Sequence, residues 1–167
     1  TPYPDGPYLN ATYHSAADGQ RYWGVALNLI EKGEFSIPQL WDSRPDTPLA
    51  RSGPLYPLVI ALIIKLIGFD NAPLLIVIFQ CMLLYVMSLL GRQLAVPFSS
   101  HKTLVQLLIL FNPNLIGLAH HAQSDIVFAF IFTVILYLIN KILIAPHNIS
   151  RTSFLLLGGL TGLLCLT

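Results

Sequence analysis

Three charged residues have types and positions that could support chemistry. Asp18 begins a segment with helical periodicity, Arg51 leads a proline-rich turn, and Asp125 opens a long apolar run. An acid can act as a general base toward an acceptor hydroxyl, and a cation can stabilise a departing phosphate. An acid at the edge of a membrane segment is costly unless it is paired or solvated, so a functional role is the first hypothesis for Asp125.

Each of these residues also has a structural explanation. Asp18 suits the first turn of a helix, where an acid caps free N–H groups and complements the helix dipole. Arg51 could contact lipid headgroups with a snorkelling side chain. Asp125 could cap the apolar helix that it opens, although Ser124 could do so equally well.

His120 and His121 form the other polar group near Asp125. Adjacent residues of a regular helix cannot both face one ligand, whereas His121 and Asp125 are four residues apart and could share a helix face. One histidine and one aspartate make an incomplete metal site. We therefore predict histidines that line a polar cavity at the membrane interface, and no metal site.

Composition indicates a membrane protein. The 167 residues are 54% hydrophobic and 10% charged, with a mean hydropathy of +0.67, whereas soluble domains carry about 25% charged residues. Six of the eight acids precede residue 47. A polar first part therefore precedes a lipid-embedded part, and the net charge of +1 gives no argument for a nucleic-acid partner.

The apolar runs predict the membrane-spanning helices, each of which needs about 20 residues. Three full spans and the start of a fourth are predicted: Ala72–Leu90, Thr103–Ala119 with a break at Asn112-Pro113-Asn114, Ile126–Ile144 and Phe154–Thr167. Because the last run stops within apolar sequence and no signal peptide is visible, we expect a piece of a longer protein, truncated at both ends.

The part before the spans predicts short helices and loops. Ala16–Lys32 places Tyr22, Val25, Ala26, Leu29 and Ile30 on one helical face, and Gly33 supplies the stop. Residues 37–52 contain three prolines and predict a loop. Pro54–Gly68 is short for a span and contains Lys65, so we expect an amphipathic helix on the membrane surface, while a spanning helix stays open.

Basic residues predict the orientation in the membrane. Arg92 and Lys102 flank one loop, Lys141 and Arg151 flank another, and such loops are typical of the cytoplasmic side. The opposite, outer side then holds all five polar candidates: Asp18, Arg51, His120, His121 and Asp125. The predicted fold is all-α and polytopic, with residues 1–70 as an outer loop of juxtamembrane helices and residues 71–167 as the transmembrane region.

The order of these pieces resembles the GT-C superfamily of polytopic glycosyltransferases, in the branch with protein O-mannosyltransferases and lipid A aminoarabinose transferases. Three motifs carry the resemblance over about residues 14–140. They are Asp18 with Tyr22 and a helix ending at "EKGEFS", the basic residue of "RSGPLYPLVIALIIKLIG", and the turn and acid of "LFNPNLIGLAHHAQSDIVFAFIF".

The resemblance implies sugar transfer from a polyprenyl-phosphate donor on the periplasmic, extracellular or lumenal face, with the plasma membrane as the expected location. It implies Asp18 as the catalytic base, Asp125 as a second catalytic acid and Arg51 as the donor-phosphate contact. Tyr22, Tyr56, His120 and His121 become substrate-binding candidates. No cofactor is implied with certainty. A divalent metal stays open, although Gly19 stands where some relatives carry a second acid, which argues against a metal site built on paired acids.

Two other classes stay open. A transporter or channel would use Asp125 and the break at Asn112-Pro113-Asn114 in a substrate path, and would need polar groups near the bilayer midplane. The acids lie at one edge, which favours the enzyme. A non-catalytic scaffold would bind a partner through the outer loop. The sugar and the acceptor cannot be named from the sequence.

Overall fold

The computed structural model describes residues 17–36, 53–97, 100–121, 124–144 and 151–166. Within these ranges the chain is helical and contains no β-strand. The helices are α1 (Ala17–Lys32), α2 (Leu55–Ile67), α3 (Ala72–Ala95), α4 (Lys102–Leu110), α5 (Pro113–His120), α6 (Asp125–Ile144) and α7 (Arg151–Leu164). The all-α prediction is confirmed for this part of the chain.

Within the described ranges, two helices are long and apolar enough to cross a membrane. They are α3, with 24 residues, and α6, with 20, which correspond to about 36 and 30 Å at ~1.5 Å per residue. A hydrocarbon core is about 30 Å thick. The helices α4 and α5 are separated by a short break at which the chain bends by 45°. Taken together as one broken span, they form a third membrane crossing.

The predicted spans differ from these helices mainly at their ends. The first span was expected to end at Leu90, but α3 continues through Gly91 and Arg92 to Ala95. A cation in the last helical turn is favoured by the helix dipole, so Arg92 does not stop the helix. The break at Asn112 is confirmed, and α7 begins three residues before the predicted Phe154 and ends at Leu164.

The chain forms two compact units. The first comprises Thr1–Ile78 with His120–Gln123, and the second comprises Phe79–Ala119 with Ser124–Thr167. In the first unit α1 packs against α2, and in the second α6 packs against α7. The predicted division at residue 70 concerns membrane placement and stays a prediction.

Glycines end α1 and α2. Gly33 has φ +71° and its N–H donates to the Leu29 carbonyl, while Gly68 has φ +83° and donates to the Ile64 carbonyl at 2.9 Å. Positive φ costs a glycine nothing sterically, because it has no Cβ. The predicted stop at Gly33 is confirmed, and Gly68 terminates α2 in the same way.

The helix predicted after Pro54 is present as α2. Its 13 residues give about 20 Å, which is short for a straight crossing. The buried face includes Tyr56, Ile60 and Ile64, but the exposed face carries a stripe of large aliphatic side chains: Leu58, Leu62 and Leu66. Lys65 is the only charge of this helix, and its predicted position on the membrane surface stays a prediction.

Candidate functional site

Aromatic side chains join α1 to α2. The rings of Tyr22 and Tyr56 meet edge to face with centroids 5.2 Å apart, and both rings are buried. Trp23 meets Phe69 in the same geometry at 5.6 Å. Such pairs add about 0.5–1.5 kcal/mol beyond the area that they bury. Tyr22 and Tyr56 therefore hold the two helices together, and their predicted contact with substrate stays a prediction.

The buried surface of α1 differs from the predicted face. Val25 and Ala26 are fully buried as expected, but Ile30 is exposed. Trp23 and Asn28, which lie off the predicted stripe, are buried instead. The helix is enclosed on most sides in its middle, so a one-sided helical pattern does not describe it.

A buried amide closes the turn that follows α1. The Asn28 side chain donates from Nδ2 to the Ser36 carbonyl at 3.1 Å and to Ser36 Oγ at 3.3 Å. Asn28 Oδ1 is buried and makes no hydrogen bond within the described part of the chain. Sequence reasoning missed this contact, because an asparagine within an apolar helix gives no signal of a partner eight residues away.

The structure describes Asp18 only in part and does not describe Arg51. Asp18 is the second residue of α1, so its backbone lies in the first turn, where the dipole favours an anion. Its side chain and the whole of Arg51 lie outside the described residues. Their predicted roles stay predictions.

His120 and His121 lie at the end of α5 and belong to the first unit. His120 is the last residue of α5 and is exposed, while His121 lies in the turn and is half-buried. Their ring centroids are 6.2 Å apart at an interplanar angle of 66°. The segment His120–Gln123 belongs to the same compact unit as α1 and α2, although about 50 residues separate it from α2 in sequence.

Asp125 is the first residue of α6 and is exposed. The helix opens with a hydrogen bond from the Phe128 N–H to the Ser124 carbonyl at 2.9 Å, so Ser124 occupies the N-cap position. The sequence left open that His121 and Asp125 share a helix face, but α6 begins only at Asp125. His121 lies in a turn before α6, where the four-residue spacing of a helix does not apply.

Asn112 caps α5. Its Oδ1 accepts hydrogen bonds from the N–H groups of Asn114, at 3.0 Å, and Leu115, at 3.3 Å. Pro113 follows as the first helical residue, where a missing N–H costs nothing. The Asn-Pro pair thus ends one helix and starts the next, a role that could have been inferred from the preference of asparagine for N-caps.

Within the described ranges, no group of three or more His, Cys, Asp or Glu side chains could hold a metal ion. The residues with described side chains define a helical protein with two or three helices suited to a membrane. No family model, curated protein or solved structure matches the chain.

Proposed function

We propose that this chain is part of a multi-pass GT-C-like glycosyltransferase that transfers a sugar from a polyprenyl-phosphate donor at the outer face of the membrane. The observation that carries the proposal is that several predicted site residues belong to the first unit. Five candidate residues from segments far apart in sequence belong to this unit: Asp18, Tyr22, Tyr56, His120 and His121.

The exposed surfaces of the helices support a membrane setting. Large apolar side chains are exposed along α2, α3 and α6, among them Leu62, Leu74, Met82 and Phe132. Soluble monomers rarely expose apolar patches of this extent. The leucine stripe of α2, combined with a length of about 20 Å, suits a helix that lies beside the hydrocarbon core rather than through it.

The proposed reaction uses one acid and one cation. Asp18 accepts the proton of the acceptor hydroxyl as its oxygen attacks the anomeric carbon of the donor sugar. The bond from that carbon to the phosphate oxygen breaks, and the electron pair leaves with the polyprenyl phosphate. Arg51 stabilises the departing phosphate through charge-assisted hydrogen bonds. Asp125, which belongs to the second unit, keeps its predicted role as a second acid.

A transporter is the second candidate, and the bend between α4 and α5 favours it. Broken helices are typical of transporter substrate sites, where freed backbone groups face the cargo. Here, however, Asn112 satisfies two N–H groups at the break. The enzyme proposal therefore keeps priority.

The test uses the full-length protein in its membrane with labelled polyprenyl-phosphate hexoses and pentoses. We expect Asp18→Asn to lower release of polyprenyl phosphate at least ~100-fold, because general-base catalysis contributes about 10²–10⁴-fold. The control is Glu31→Gln, which removes an exposed acid of the same helix and should leave transfer unchanged.

Full transfer activity in the Asp18→Asn protein would overturn the catalytic assignment. Absence of transfer from every donor by the unmodified protein, together with flux of a solute that Asp125→Asn abolishes, would favour the transporter. Equal expression of all variants, measured on immunoblots, excludes loss of folding as the cause.

A further inference from the structure

The basic residues of the second unit lie next to the connections between consecutive helices. Its residues, 79–119 and 124–167, include Arg92, Lys102, Lys141 and Arg151 but only one acid, Asp125. Arg92 lies in the last turn of α3, and Lys102 is the first residue of α4. These two cations therefore flank the short connection between the helices, at residues 96–101.

Side-chain contacts hold α3 and α4 together at this end. Arg92 Nη1 donates to Gln106 Oε1 at 3.4 Å, and a Cβ atom at Gly91 would overlap the Ile109 side chain. Lys102 lies four residues before Gln106, so both face the same side of α4. The contact thus brings the Arg92 guanidinium to the helix face that carries Lys102.

The charge of this pair is not neutralised within the described part of the chain. Arg92 has Gln106 as its hydrogen-bond partner there and no carboxylate, and Lys102 is exposed. The first turn of α4 contains no acid. Two cations beside a helix start without an acid form a surface that attracts anions.

We propose that Arg92 and Lys102 form a binding site for the headgroup of an anionic phospholipid, with Gln106 positioning the guanidinium. The membrane character of α3 places this surface at the level of lipid phosphates, because Arg92 lies near the end of a helix of about 36 Å. Arginine pairs with phosphate in a bidentate geometry, and lysine adds a second charge. The site does not depend on the proposed sugar transfer.

The test measures lipid binding to the purified full-length protein by native mass spectrometry, with phosphatidylglycerol and phosphatidylcholine of equal chain length. We expect phosphatidylglycerol to bind at least about tenfold better, since each basic residue near a membrane surface contributes about fivefold. The double variant Arg92→Gln with Lys102→Gln should lose this preference. The matched control, Arg21→Gln with Lys65→Gln, removes the same charges from the first unit and should keep it.

A second variant separates positioning from folding. Gln106→Glu keeps both cations but places a carboxylate at the guanidinium, so we expect loss of the phosphatidylglycerol preference with an unchanged melting temperature. Inorganic phosphate at millimolar concentration should not displace the lipid. Equal binding of the two lipids, equal losses in both double variants, or displacement by inorganic phosphate would overturn the proposal.

Discussion

The two units of the protein are stabilised in different ways. In the first, rings from α1 meet rings from α2 and its following turn, and a buried amide holds the turn after α1. In the second, hydroxyl groups bond within their own helices, as Thr133 does to the Ala129 carbonyl and Thr161 to the Leu157 carbonyl, both at 2.8 Å. The named contacts of the first unit join different segments, whereas these two hydroxyl bonds of the second unit stay within one helix. The second unit also has a side-chain contact between helices, from Arg92 to Gln106.

The predicted membrane placement, with the first unit in water and the second in lipid, would account for this difference. Lipid is as apolar as leucine, so helices in a bilayer gain little from burying aliphatic side chains against each other, and each must satisfy its own backbone. A polar segment outside the bilayer gains from removing aromatic surface from water. Substitutions should therefore be costly in the first unit and mild on the exposed surfaces of the second.

The largest expected contrast compares two aromatic residues. Trp23 is 2% exposed in the first unit, whereas Phe132 is 46% exposed in the second. Trp23→Ala should lower the free energy of unfolding by about 3–5 kcal/mol because it leaves a cavity. Phe132→Ala should change it by less than about 1 kcal/mol in detergent. Each variant is heated, and size-exclusion chromatography then measures how much of the main protein peak is lost. Similar losses for Trp23→Ala and Phe132→Ala would contradict the expected contrast.

The next effect concerns the buried amide. Asn28→Ala leaves the Ser36 carbonyl without its donor and should cost about 1–3 kcal/mol. Ser36→Ala removes only the hydroxyl contact and should cost less, because the bond from Asn28 to the carbonyl remains. Thermal unfolding of both single variants and the double variant gives the coupling energy. A coupling energy of zero would show that the two side chains do not interact.

The smallest effect compares the same substitution at two glycines. Gly68→Ala should destabilise by about 1 kcal/mol because φ at that position is +83°. Gly158→Ala lies within α7 and meets no atom within 4 Å in the described structure, so it should stabilise the helix by up to about 1 kcal/mol. Opposite shifts in melting temperature are expected, and shifts of the same sign would contradict this assignment.

Local sequence patterns predicted much of the fold. The start of α3 at Ala72, the stop at Gly33 and the break at Asn112 each depend on neighbouring residues, and each was confirmed. The ends of apolar helices were less predictable, because a helix continues through residues such as Arg92 whenever its hydrogen bonds and dipole permit. The exposed stripe of Leu58, Leu62 and Leu66 on α2 was not predicted, because it depends on which side of the helix packs against α1.

The candidate site was predictable only in its residue types. The sequence indicated acids, a cation and histidines at the edges of apolar segments. It could not indicate that His120 and His121 belong to the same unit as α1. Nor could it indicate that α5 ends at His120, so that His121 belongs to neither α5 nor α6. The family resemblance supplied the roles of these residues, and those roles are what the Asp18→Asn experiment tests.

The sequence by itself determined that the protein has long apolar helices, where those helices break, and which glycines end the helices before them. Hydrophobic runs, capping residues and glycine all act over a few neighbouring residues, so their effects can be inferred locally. Only the tertiary structure decided that Tyr22 meets Tyr56, that Asn28 holds Ser36 and that Arg92 reaches Gln106. These contacts depend on how chain segments dock against one another, and their partners are set by the packing of whole elements rather than by any single stretch of sequence.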